Sequence, residues 1–133
     1  MYPSLDEFMK DAGTVLAKGP IALVMVEDDV EVATTLRHHQ QLGFAAVLAF
    51  MPKDFTLPRD LDESIIRITY DVTLEGAVPQ AVNRINDAAI GQWMFYCYNA
   101  EYLFHPFCET RSIGEMLAFH TEERRSAMLT YVV

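Results

Sequence analysis

"IALVMVEDDVEVATTLRHHQQLG", residues 21–43, decides the fold. Its first six residues form an unbroken apolar run, which suits a strand covered on both faces, as in a parallel sheet. Glu27-Asp28-Asp29 follow at the carboxyl end of that run. "VEVATTLRHHQQLG" then reads as a helix, with Val32, Leu36 and Gln40 or His39 on one face and Gly43 as the stop. Strand, acidic edge and helix in that order are the unit from which layered α/β sheets are built.

The same grammar extends in both directions. Upstream, Ser4-Leu5-Asp6-Glu7 fits a capping box, and Leu5, Phe8, Met9, Ala12 and Leu16 recur at helical spacing until Gly19-Pro20. Downstream, "FAAVLAFM" (44–51) predicts a second strand, "PKDFTLPRDLDE" (52–63) a polar loop, and "SIIRITYDV" (64–72) a third strand. Pro79 opens the next helix, whose apolar face is Ala81, Val82, Ile85, Ala88 and Ala89, and Gly91 ends it. "QWMFYCY" (92–98) is the fourth strand, 112–120 a short helix after a Ser cap, and 126–133 a fifth strand. The order α-β-α-β-β-α-β-α-β, with crossovers long enough for parallel pairing, predicts a Rossmann-like, mostly parallel sheet with helices on both faces. Ligands bind such sheets at the carboxyl ends of the strands. Three polar edges fall there: Glu27-Asp28-Asp29, Tyr70-Asp71 and Asn99-Ala100-Glu101.

Composition narrows the function. The 133 residues suit one domain over residues 1–133, and 51% hydrophobic content excludes a disordered chain. No apolar run approaches the roughly 20 residues of a membrane span. The acidic, amphipathic start "MYPSLDEFMKDAG" is not a signal peptide, so a cytoplasmic location is expected. Ten Lys and Arg against nineteen Asp and Glu give a net charge of −9, which disfavours nucleic acid as a partner. Cys97 and Cys108 have neither CxxC nor zinc spacing, and Cys97 reads as a small core residue. The apolar last strand predicts either a missing C-terminal region or a partner, such as a second copy, over that edge.

Two families share these residues. "LVMVEDDVEVATTLRHHQQLGF" (23–44) resembles the opening of a response-regulator receiver, a signalling domain, with Asp28-Asp29 as its magnesium-holding acids. Asp71, 43 residues beyond Asp28, stands near where a phospho-accepting aspartate would fall. A receiver also needs Ser or Thr after strand four and Lys after strand five. This chain has Tyr98-Asn99-Ala100 at the first and no lysine after Lys53.

The broader resemblance, over roughly 20–133, is to family 2-like glycosyltransferases of GT-A fold. His38, His39 and Gly43 match the end of that family's first helix. "PQAVNRINDAAIGQWMFYCYNAEYLFHP" (79–106) is similar to the segment running through the DxD motif, with Gln80, Asn83, Trp93, Glu101, Tyr102 and Leu103 in register. "TRSIGEMLAF" (110–119) and "AMLTYVV" (127–133) resemble the helix and strand that follow. The resemblance implies the donor-binding half of an enzyme that transfers a sugar from a nucleoside-diphosphate-sugar. It also implies a Mn2+ or Mg2+ ion on the donor diphosphate. Tyr98 and Ala100 stand where the two metal-region aspartates belong, which leaves Glu101 as a single, weak metal ligand.

The resemblance assigns donor contacts to Glu27, Asp28, Asp29, Asp71, Tyr98, Asn99 and Glu101. No residue stands out as a catalytic base. Each candidate also has a plainer role. Asp28 and Asp29 can cap the next helix. Asp71 can be a turn residue. His38 and His39, about 100° apart on a helix, suit one packed and one solvated side chain better than a shared metal. His105 is a phosphate contact or a surface histidine. Arg124-Arg125 is a solvated pair or a diphosphate clamp in place of the metal, since guanidinium pairs bind phosphate bidentately. Three functions follow: a transferase, a nucleotide- or sugar-binding module without turnover, or a structural module.

Overall fold

The computed structural model describes residues 1–89, 91–104 and 131–132. Its centre is a four-stranded, all-parallel sheet in the order β3-β2-β1-β4. The strands are β1 (Ile21–Met25), β2 (Ala46–Met51), β3 (Ile66–Thr69) and β4 (Met94–Tyr98). Helices lie on both faces, so the fold is the α/β layered sheet that the continuous apolar strands predict.

Strand alternation explains the two cores. On β1, Ala22 and Val24 point to one face, where α3 (Val32–Gln41) and α4 (Arg59–Ser64) add Val32, Leu36 and Leu61. Ile21, Leu23 and Met25 point to the other. There α1 (Leu5–Met9), α2 (Ala12–Val15) and α5 (Ala77–Ala88) supply Leu5, Phe8, Ala12, Ala81 and Ile85. Every residue of β1 is buried, as a central strand covered twice requires. The Ser4 cap forms as read: its Oγ accepts the Glu7 N–H at 3.2 Å.

Four readings change. The second half of the expected 52–63 loop is helical. Arg59–Ser64 forms α4 because Pro58 fixes the backbone just before it and Leu61 and Ile65 find the core. Helix α5 starts at Ala77, two residues before Pro79. Gly76 precedes it at φ 75°, and proline is tolerated in a first turn whose N–H groups have no helical partners. The third strand is shorter than 64–72. The last strand does not extend the parallel sheet: its described part, β6 (Tyr131–Val132), pairs antiparallel with β5 (Leu103–Phe104) in a separate two-stranded ribbon. Ala100, at φ 65°, turns the chain out of the main sheet just before β5. The expected helix 112–120 lies outside the described residues.

Register levels the carboxyl edge. Met25 pairs with Phe50 on one side and Tyr98 on the other, and Phe50 pairs with Ile68. The loops after all four strands therefore leave the sheet side by side. The chain passes from β1 outward to β2 and β3, then crosses over to β4, so the switch point lies between β1 and β4. This order is that of one half of the 3-2-1-4-5-6 doubly wound sheet. Receivers have the flavodoxin-like order 2-1-3-4-5. The receiver reading fails on this topology, because its third strand belongs beside the first, whereas here β4 lies beside β1 and, among the described strands, β3 pairs with β2 alone.

Candidate functional site at the switch point

At the switch point, the loop after β1 (27–31) meets the turn after β4 (99–101), and Asn99 joins them. Asn99 is buried. Its Oδ1 accepts the Glu27 N–H at 3.0 Å, and its Nδ2 donates to Asp28 Oδ1 at 2.5 Å and to the Val30 carbonyl at 2.9 Å. Its own N–H donates to the Met25 carbonyl, continuing the β1–β4 ladder by one residue. The Ala100 N–H donates to Thr35 Oγ1 at 2.8 Å, and that hydroxyl donates to the Glu31 carbonyl at 2.5 Å.

Glu101 is turned inward. Its Oε1 accepts the Tyr98 N–H at 2.6 Å, satisfying a donor on the side of β4 that faces away from β1. Its own N–H donates to the Tyr98 carbonyl at 3.2 Å. Glu31 (φ 48°) and Ala100 (φ 65°) both occupy the left-handed region, which disfavours side chains. Among the described residues, the two non-glycine residues in this conformation thus meet at one hydroxyl, that of Thr35.

The sequence-read residues divide accordingly. Glu27, Asp28, Asn99 and Glu101 come together, and Tyr98 ends β4 beside them. Asp28 caps a turn through the Val30 N–H at 3.0 Å rather than capping α3, whose N-cap is Glu31. Asp71 stands apart, beyond β3 and three strands from Asn99, roughly 14 Å by strand spacing. There it accepts the Thr73 N–H and hydroxyl, which hold its carboxyl below the usual range. His105, Cys108, Arg124 and Arg125 lie outside the described residues.

A cavity of about 560 Å³ opens between the 27–31 loop, the start of α3 and the loop after β2. Asp29, Thr34 and Asp54 supply polar groups, and Val32, Phe55 and Leu57 the apolar wall. Arg67 fixes that wall from behind. Buried on β3, it donates through Nη2 to the carbonyls of Pro52 (3.1 Å), Lys53 (3.0 Å) and Phe55 (2.5 Å), and Nη1 lies 3.7 Å from Asp62. Arg67, Thr35 and Phe55 escape a reading by motif. A cation within a strand covered on both faces is nevertheless a signal, because such a group needs buried partners.

His38 and His39 are both engaged within the fold. His39 is fully buried, stacks on Phe95 at 5.6 Å between centroids, and donates from Nδ1 to the Thr35 carbonyl at 2.8 Å. Burial pushes it down to about 4. Its Nε2 faces Cys97 Sγ at 3.9 Å, and burial pushes that thiol up to about 12. His38 is not left to solvent. It is half-buried, edge-on to Tyr102, with Nε2 bonded to the Leu103 carbonyl at 2.9 Å.

The residues present do not fit the cation that the resemblance implies. Tyr98 and Ala100 offer no carboxylate, and Glu101 is engaged by Tyr98. Among the described residues, no group of three or more His, Cys, Asp or Glu side chains converges as a ligand set. No helix among them is long and apolar enough to cross a membrane. Comparison of the chain with protein-family models, with curated proteins and with solved structures gives no match.

Proposed function

We propose that this chain is the nucleotide-binding domain of a family 2-like glycosyltransferase, and that it seats a nucleoside-diphosphate-sugar without a divalent cation. One observation supports the reading: the cavity of about 560 Å³ lies at the carboxyl edge of a parallel sheet, between the loops after β1 and β2, and it is at this edge that such sheets bind ligands. Its volume suits a base and ribose. Phe55 and Leu57 offer an apolar wall to the base, and Asp29 and Asp54 offer acceptors to ribose hydroxyls. The locked Asn99 network keeps the 27–31 loop in place, so little ordering accompanies binding. The acidic lining repels a diphosphate, which must point out of the cavity. Arg124 and Arg125 are the cations this reading assigns to it.

Calorimetric titration with UDP and with GDP, each with and without Mn2+, tests the proposal. Saturable binding that is unchanged by Mn2+ and weakened by Asp29→Ala is expected. Binding that requires Mn2+ overturns the metal-free seat, and no binding in any condition overturns the nucleotide reading.

A further inference from the structure

A second, larger cavity of about 710 Å³ opens at the same sheet edge but on the opposite face, beyond β2 and β3. Segments far apart in sequence build it: the start of α1, the ends of β2 and β3, and the first turns of α5. Tyr70 ties two of them together, because its hydroxyl donates to the Ala77 carbonyl at 2.6 Å while its ring lies in the wall. Arg84 ties a third, pairing with Asp6 at 2.7 Å. Segments distant in sequence are thus linked across the cavity by hydrogen bonds.

Its lining defines a ligand class. Gln80 and Glu75 reach it with side chains that have no hydrogen-bond partner among the described residues, one offering donors and acceptors and the other acceptors. Asp71 spends Oδ1 on Thr73 and keeps a second oxygen. Arg84 has donors beyond the one given to Asp6. Leu74, 63% exposed, lines the cavity together with Tyr70 and adds exposed apolar surface to it. Asp6, Asp71 and Glu75 outnumber Arg84, which disfavours phosphates and carboxylates. Arg84 in turn disfavours a cation. A neutral molecule that carries many hydroxyls on one side and C–H groups on the other meets both demands. We infer that this cavity is a binding site for an uncharged polyhydroxy ligand, a mono- or disaccharide, held by Gln80, Glu75 and Arg84 with its C–H face on Leu74 and Tyr70. The inference stands on this cavity alone and does not rest on the nucleotide reading.

Saturation-transfer NMR and calorimetry of the full chain with D-glucose, N-acetyl-D-glucosamine and maltose test it, with spermidine as the cationic probe. Saturable binding of at least one sugar is expected, with no competition from spermidine. Gln80→Ala, at an exposed position, should weaken that sugar about fivefold, the effect of one neutral hydrogen bond. Leu74→Ala should weaken it further, and UDP affinity should stay unchanged in both variants. Absence of sugar binding overturns the inference, as does sugar affinity that survives both substitutions. Spermidine that binds more tightly than every sugar and is lost with Glu75→Gln overturns it in favour of a cation site. Sugar binding that fails while UDP still binds removes this site alone and leaves the nucleotide seat standing.

Discussion

Replacing Asn99 by alanine removes three hydrogen bonds at the point where the β1 loop and the β4 turn meet. Two of the lost partners are backbone groups, the Glu27 N–H and the Val30 carbonyl, and the third is the Asp28 carboxylate. A neutral hydrogen bond contributes about 1 kcal/mol net, and one to a charged group about 1.5–3 kcal/mol. Glu27, Asp28 and Val30 are exposed, so water replaces part of what is lost. The expected loss is therefore about 3 kcal/mol, a large share of the 5–15 kcal/mol that holds a domain of this size together. Urea unfolding should show a lower midpoint with an unchanged slope, and thermal unfolding a drop of about 10 °C. Asn99→Asp sharpens the test. It keeps an acceptor for the Glu27 N–H but sets a second carboxylate against Asp28, where Asn99 Nδ2 now lies 2.5 Å from Oδ1. Repulsion raises the folded-state pKa of the pair above its unfolded value, so the variant loses stability as pH rises through the carboxylate range and regains it on acidification. An alanine variant within 0.5 kcal/mol of wild type, or an aspartate variant with no such pH dependence, would refute the claim that Asn99 holds the two loops.

Three further outcomes follow from buried groups. His39, held at about 4 against an ordinary 6.5, stays neutral in the fold while the unfolded chain takes up the proton. Stability is thus full above about pH 6.5 and falls as pH drops toward 4, by on the order of 3 kcal/mol; urea midpoints at pH 7 and pH 4.5 should differ less in His39→Gln than in wild type. Cys97, pushed up to about 12 by burial, should resist a thiol reagent at pH 8 in a Cys108→Ser background and react at once in urea. Arg67→Met leaves three loop carbonyls without their donor and should cost about 3 kcal/mol or more, with the Phe55 wall loosened and UDP affinity reduced more than in a surface variant such as Arg59→Ala.

The sheet was legible because its strands carry an unmistakable signal. A run such as Ile21–Val26, apolar at every position, has one common use: a parallel strand with helices on both sides. Helix α4 was not legible. Two prolines and a string of acids in 52–63 read as loop, and burial of Leu61 and Ile65 in the core makes five of those residues helical. Tertiary burial overrides local propensity in short helices, which are marginal on their own. The candidate site was legible in part. Glu27, Asp28, Asn99 and Glu101 could be placed at one edge because parallel strands end on the same side. Their hydrogen bonds to one another, and the distance of Asp71 from them, depend on strand order, and sequence spacing does not encode strand order.

Strand order also ties the turn after β4 to its surroundings. At the end of β4, the N–H that faces away from β1 needs a partner, and the Tyr98 N–H finds one in Glu101. A carboxylate so engaged is a poor metal ligand, since a cation would have to displace a 2.6 Å hydrogen bond and leave the donor unpaired. Tyr98 and Ala100 offer no carboxylate, so nothing repays that exchange. Ala100 adds a second constraint, because its N–H fixes Thr35, and Thr35 fixes the Glu31 carbonyl at the head of α3. The turn is a brace between β4 and α3. Glu101→Gln offers a direct check: the amide oxygen can still accept the Tyr98 N–H, so the variant should retain wild-type stability and wild-type UDP affinity. A loss of UDP binding in Glu101→Gln with folding intact would show that the carboxylate charge itself serves the ligand, and would reinstate a cation at this edge.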